Sequence, residues 1–114
     1  MIPHRTPVIL PWLFPSLIWR MPPEKQLYLT FDDGPVAGPT EFALDQLARN
    51  SIRATFFCIG DNIRKYPRIF ADIFAHGHTV GNHTFSHVNG WKTPASEYLA
   101  NTRQFDAAAT EAGL

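Results

Sequence analysis

The chain has 114 residues, of which 45% are hydrophobic and 18% charged, enough for one small globular domain with a real core and too few for a larger fold. Ten basic and ten acidic residues cancel, and neither Lys nor Arg forms a run. That argues against a nucleic-acid groove or a polybasic membrane patch and for a neutral small molecule or polymer as partner.

Val8 to Trp19 is strongly apolar and follows His4 and Arg5, as a secretory leader would. Pro11 and Pro15 interrupt the run, Arg20 ends it, no small-x-small cleavage site follows, and the stretch is too short to span a bilayer, so neither a leader nor a transmembrane segment is expected. Trp12, Phe14, Leu17 and Trp19 are expected to pack against the domain as a short Pro-initiated helix. The two Trp residues also suit a membrane interface. Residues 1–24 therefore read as an apolar, Pro-rich extension, with Pro22-Pro23 as a stiff connector into a domain over residues 25–114.

From Lys25 onward strand and helix alternate. A first strand, about Gln26 to Phe31, carries Tyr28, Leu29 and Phe31 as buried residues and runs into Asp32-Asp33-Gly34-Pro35. Gly34 permits a sharp turn and Pro35 ends the strand. A helix opens at Gly38-Pro39 with Glu41 in its first turn, buries Ala43, Leu44, Leu47 and Ala48, and stops near Asn50. The second strand, about Arg53 to Ile59, is a continuous apolar run closed by Gly60 and reads as covered on both faces. Cys58, the only cysteine, lies inside it as a small buried hydrophobe, and no internal disulfide can form. Asp61-Asn62 reads as a cap before a short turn to Tyr66. A helix opened by Pro67 then places Ile69, Phe70, Ile73 and Phe74 on one face, with Gly77 past its end. A short third strand, about His78 to Gly81, follows. The last helix is signalled by Thr93 as cap, Pro94 inside it and Glu97 in its first turn, with Tyr98, Phe105, Ala109 and Ala112 on one stripe.

Three strand-then-helix units imply right-handed crossovers and a parallel sheet, with the loops after the strands on one edge. Asp32 and Asp33 fall on that edge. Because strand side chains alternate in direction, the two carboxylates cannot serve one spot in the same way: one can bind a metal while the other handles a water beside it. After the third strand comes His83-Thr84-Phe85-Ser86-His87, two imidazoles four apart on one side of a helical turn, close enough to hold a single ion. Together the motifs supply a His, His, Asp set with room for water. The same donors occur in iron oxygenases, but there the first His and the carboxylate sit close on one strand, and here the Asp pair comes some fifty residues before the two clustered His. His4, His76 and His78 do not share this logic and read as structural or solvated.

These residues resemble the polysaccharide deacetylase family, the NodB-homology domain of carbohydrate esterase family four. Thr30-Phe31-Asp32-Asp33-Gly34-Pro35 matches its first motif and His83-Thr84-Phe85-Ser86-His87 its second. Ala54-Thr55-Phe56-Phe57 with Gly60, and Gly77-His78 leading to Gly81-Asn82-His83, match the stretches between. The likeness covers about Lys25 to Trp91. It implies that Asp33, His83 and His87 hold a divalent metal, zinc being the usual ion, that Asp32 is the general base, and that Thr84 steadies the loop by hydrogen bonding. It implies hydrolysis of N-acetyl groups on N-acetylglucosamine-type glycans, a function associated with the cell envelope.

Family members are distorted (β/α) barrels of roughly two hundred residues, so the fold expected here is α/β: the first three βα units of such a barrel, with its C-terminal half absent. The Arg-Pro-Pro-Tyr type segment, the Asp and Trp segment and the late Leu-x-His, which bring the oxyanion and general-acid groups, have no match. The chain then reads as the N-terminal part of an enzyme, metal-binding but catalytically incomplete; the alternative is a non-catalytic metal- or sugar-binding remnant. An open partial barrel is also expected to self-associate through its exposed edge.

Overall fold

A computed structural model of the protein describes residues 6–114, so His4 and Arg5, read above as the preface to the apolar run, lie outside the described residues. The elements are α1 (Ile9–Leu13), β1 (Thr30–Gly34), α2 (Pro39–Arg49), β2 (Thr55–Cys58), α3 (Gly60–Lys65), α4 (Pro67–Ala75), β3 (Thr79–Asn82) and α5 (Ala95–Glu111). The strands form one parallel sheet in the order β1-β2-β3. This is the parallel sheet expected of three successive βα units, and it puts the ends of all three strands on one edge.

The central strand carries the core. Phe56 and Cys58 of β2 are buried with Leu44 and Leu47 of α2, Ile63 of α3, Phe70 and Ile73 of α4, and Phe105 and Ala109 of α5. Phe70, Ile63 and Ile73 are wholly enclosed, each worth about 1.5–3 kcal/mol of apolar burial. Burial pushes the Cys58 thiol up to about 12, in keeping with an inert core residue. On the other face of β2, Thr55 and Phe57 are only half-buried, so the strand is covered on one side rather than both.

Several further expectations need correction. Tyr28 and Leu29 precede the paired segment and are exposed, and Phe31 is packed on one ring face only, stacked 4.9 Å from Phe56, because β1 is an edge strand. The turn expected at Asp61–Tyr66 is the helix α3. Thr93 does not cap α5: its hydroxyl donates to the Asn89 carbonyl, and Pro94 is the residue before the helix. Tyr98, placed on the buried stripe, is exposed, while Ala108 is buried. Finally, α1 buries none of its residues, and Trp12, Phe14 and Leu17 are exposed rather than packed on the domain.

His78 is structural, as expected. It sits just before β3, buried, and its Nδ1 accepts a hydrogen bond from the Ala54 N–H at 3.3 Å. That contact ties the start of β3 to the start of β2.

Candidate metal centre

The first motif is shaped by a break in the β1–β2 pairing. Asp32 lies opposite Phe57 and Gly34 opposite Cys58, which leaves Asp33 as the extra residue of a bulge. Its φ is +68°, a left-handed conformation that Asp tolerates better than most side chains. Two bonds lock the bulge: Asn62 of α3 donates to the Asp33 carbonyl at 2.8 Å, and the Ile59 N–H donates to the Gly34 carbonyl at 2.8 Å. Beyond it, Pro35 is buried and the Val36 N–H donates to Thr40 Oγ1 at 2.8 Å, which fixes the turn into α2.

The His83–His87 segment is a loop, not the helical turn expected from the spacing. Thr84 and His87 have φ of +63° and +54°, which a helix cannot contain, and the loop curls so that the two rings come within 5.0 Å. Among the described residues, three of the four non-glycine positions with positive φ belong to this site, so backbone strain is concentrated there.

The loop is held from three sides. The first amides of α3, Gly60 and Asp61, donate to the carbonyls of Thr84 and Phe85 at 3.1 and 2.9 Å. Gly60 is required for this approach: a Cβ there would stand 2.5 Å from the Phe85 ring and 3.1 Å from its Cα. Asn101 of α5 accepts from the Phe85 and Ser86 N–H groups at 2.7 and 3.0 Å and donates to Ser86 Oγ at 2.8 Å. Within the loop, buried Thr84 accepts from the Val88 N–H at 3.2 Å, and Asn82 Oδ1 accepts from the Thr84 N–H at 2.8 Å.

These constraints bring Asp33, His83 and His87 together. Asp33 Oδ1 lies 3.3 Å from His83 Nε2 and 3.2 Å from His87 Nε2, and one ligand atom from each residue falls within 4.8 Å of the others. Two imidazole nitrogens and a carboxylate oxygen at that spacing fit a borderline divalent ion with a position left for water. Asp32, next on the strand, is exposed and lines with Asp33, Gly34 and Thr40 a cleft of about 150 Å³ between β1 and the start of α2. His76 stands at the end of α4, its Nδ1 2.7 Å from the Asp72 carbonyl, and takes no part.

Sequence reasoning misses the asparagines. Asn62 reads as a helix cap, and Asn82 and Asn101 receive no role. Asn82 sits directly before His83, which is the one signal pointing to it; Asn101 lies on α5, and nothing in its neighbours indicates which loop it reaches.

The family model described as polysaccharide deacetylase matches residues 20–113 of the chain. A peptidoglycan-N-acetylglucosamine deacetylase of Bacillus cereus is 45% identical over 73 residues, covering 64% of this chain and 26% of that protein. A chitooligosaccharide deacetylase of Rhizobium leguminosarum bv. trifolii is 42% identical over 64 residues, covering 56% of this chain and 30% of that protein. Among solved structures, the peptidoglycan deacetylase PdaC from Bacillus subtilis superposes with a TM-score of 0.76 at 31% identity, over 82% of this chain and 46% of that one. The chain thus spans less than half the length of each.

Proposed function

The chain belongs to the polysaccharide deacetylase family, and we propose that it carries the metal-holding part of a hydrolase that removes N-acetyl groups from N-acetylglucosamine-type glycans. The convergence of Asp33, His83 and His87 supports this reading most directly. These three residues would hold a divalent ion, zinc foremost, which when bound supplies polarisation of the amide carbonyl and activation of a water.

The protein's own groups do the rest of the half-reaction. Asp32, free of the bulge and facing the cleft, takes the proton from the attacking water as general base. Thr84 and Asn101 keep the His83–His87 loop closed, so both imidazoles stay aimed at Asp33. The full reaction converts an acetamide and water into acetate and an amine, so the leaving nitrogen must gain a proton. The acidic residues that follow His87 all lie on α5, and two of them already have partners. Asp106 accepts from Asn82 at 2.9 Å, Glu111 lies 3.7 Å from Arg64, and Glu97 is in the first turn of α5. That observation favours a second reading for these 114 residues alone, a metal-binding unit that lacks its proton donor.

Calorimetric titration of zinc into the chain, paired with an assay for acetate release from chitooligosaccharide, tests both. One ion is expected to bind, His87→Ala is expected to weaken it by more than about 100-fold, and Asp32→Asn is expected to leave affinity within about threefold. Little or no acetate is expected. Zinc binding indifferent to His83→Ala and His87→Ala together would overturn the site, and turnover near that of intact relatives would overturn its incompleteness.

A further inference from the structure

The segment from Pro7 to Met21 carries a run of exposed apolar side chains that the site does not use. Val8, Trp12 and Ile18 are 86%, 78% and 85% exposed, and Ile9, Phe14 and Leu17 are exposed as well. The segment nonetheless has a shape of its own. The Leu10 N–H donates to the Pro7 carbonyl, the Phe14 N–H to the Leu10 carbonyl, and both the Leu17 N–H and Trp19 Nε1 to the Phe14 carbonyl. Its structure is closed upon itself, so the apolar groups are left free for something else. Exposed patches of this kind mark a binding surface.

Charge indicates what binds. Between Thr6 and Pro23 the only charged residue is Arg20, Arg5 stands on the other side of the apolar run, and the first carboxylate of the chain is Glu24. An apolar segment flanked by arginines and free of acid complements a negatively charged, apolar-cored surface. No helix among the described residues is long and apolar enough to cross a membrane, and α1 has only five residues, so the segment can lie in a bilayer surface without spanning it. Trp12 and Trp19 supply rings that favour the headgroup level, where one edge meets water and the body meets acyl chains.

We infer that residues 7–21 seat in the interface of an anionic lipid bilayer and hold the sheet domain at a membrane surface, with Pro22-Pro23 as the stiff spacer. The buried apolar groups provide the grip; Arg5 and Arg20 provide the preference for anionic lipid.

The test uses the full chain carrying Trp91→Phe, since Trp91 is wholly exposed and would mask the signal of the other two indoles. Vesicles of equal parts phosphatidylglycerol and phosphatidylcholine are expected to shift the tryptophan emission to the blue and to carry the protein down on sedimentation. Vesicles of phosphatidylcholine alone, or high salt, are expected to do so less. Trp12→Glu with Ile18→Glu is expected to weaken partitioning by about 100-fold while leaving the thermal unfolding of the domain unchanged, because α1 is not part of the core. Arg20→Glu keeps every apolar group and is expected to cost about tenfold on the anionic vesicles only. Three results would each overturn the inference: no sedimentation with either vesicle, a double variant that binds as well as its parent, or a blue shift that grows with protein concentration without lipid. The last would show that a second copy of the chain covers the segment.

Discussion

β1 and β2 lie side by side in one sheet and are built for opposite purposes. β2 is central, paired on both edges, regular in register, and buries Phe56 and Cys58 in the core. β1 is an edge strand, exposed along most of its length, and its register slips at Asp33, where the backbone is left-handed. The difference shows where a fold of this kind can tolerate irregularity. A bulge in β2 would disturb two ladders and the core together; in β1 it disturbs one ladder and turns a carboxylate toward the His83–His87 loop. Core burial is concentrated on the regular strand, and the carboxylate of the candidate metal cluster stands on the irregular one.

The largest effect should come from the regular strand. Phe56→Ala empties a position that is 3% exposed and touches both Phe31 and His78, and is expected to cost about 3–5 kcal/mol in urea unfolding. Phe31→Ala, on the edge strand with one ring face open, is expected to cost less than about half of that. Equal losses from the two would break the comparison, because they would mean that β1 carries as much of the core as β2.

Asp33 sharpens the other side of it. Asn also tolerates a left-handed backbone, so Asp33→Asn is expected to change stability by no more than about 0.5 kcal/mol. Asp33→Ala must place an ordinary side chain at φ +68° and is expected to cost about 1–2 kcal/mol. Both remove the charged ligand, so both are expected to abolish tight zinc binding by calorimetry. A loss of zinc binding that tracked stability, with Asn nearly normal, would assign Asp33 to the backbone turn and not to the ion.

Much of this is legible in the residues themselves. The alternation of β-rich runs with helices opened by Pro39 and Pro67 gives the order of elements, because proline at a helix start and apolar periodicity are local properties. The Asp and His motifs can be put on one edge by the parallel topology alone. What stays hidden depends on contacts distant in sequence. The loop that carries the left-handed Thr84 and His87 is held by Asn101, Gly60 and Asp61, residues distant from it in sequence, so the i, i+4 spacing of the two histidines reads as a helical turn when taken alone. The exposure of Tyr28 and Leu29 is set by the edge position of β1, which their own apolar character cannot reveal. α3 reads as a turn because six residues are too few to show a period. Trp12 reads as packed on the domain because apolarity alone does not say which surface will cover it.

The smallest effect expected lies at the amino end of β2, where His78 ties Ala54 to the start of β3. Burial, helped by the nearby His76 and Arg53, holds the imidazole below its usual value of 6.5. With Nδ1 accepting from Ala54, the neutral ring carries its proton on Nε2, which is buried and has no hydrogen-bond partner. The unfolded chain takes up a proton at this residue near pH 6.5, the folded one only at lower pH, so between the two the unfolded state binds more protons. The contribution is therefore intact above about pH 6.5 and is lost as the pH falls through the folded value. His78→Asn keeps an acceptor for the Ala54 N–H and removes the titration, so urea unfolding measured as a function of pH should show a flatter decline below pH 6.5 than the parent. An unchanged slope would mean that the acid sensitivity of the fold arises elsewhere, and that the regular strand owes its pH tolerance to its apolar core and not to the histidine at its end.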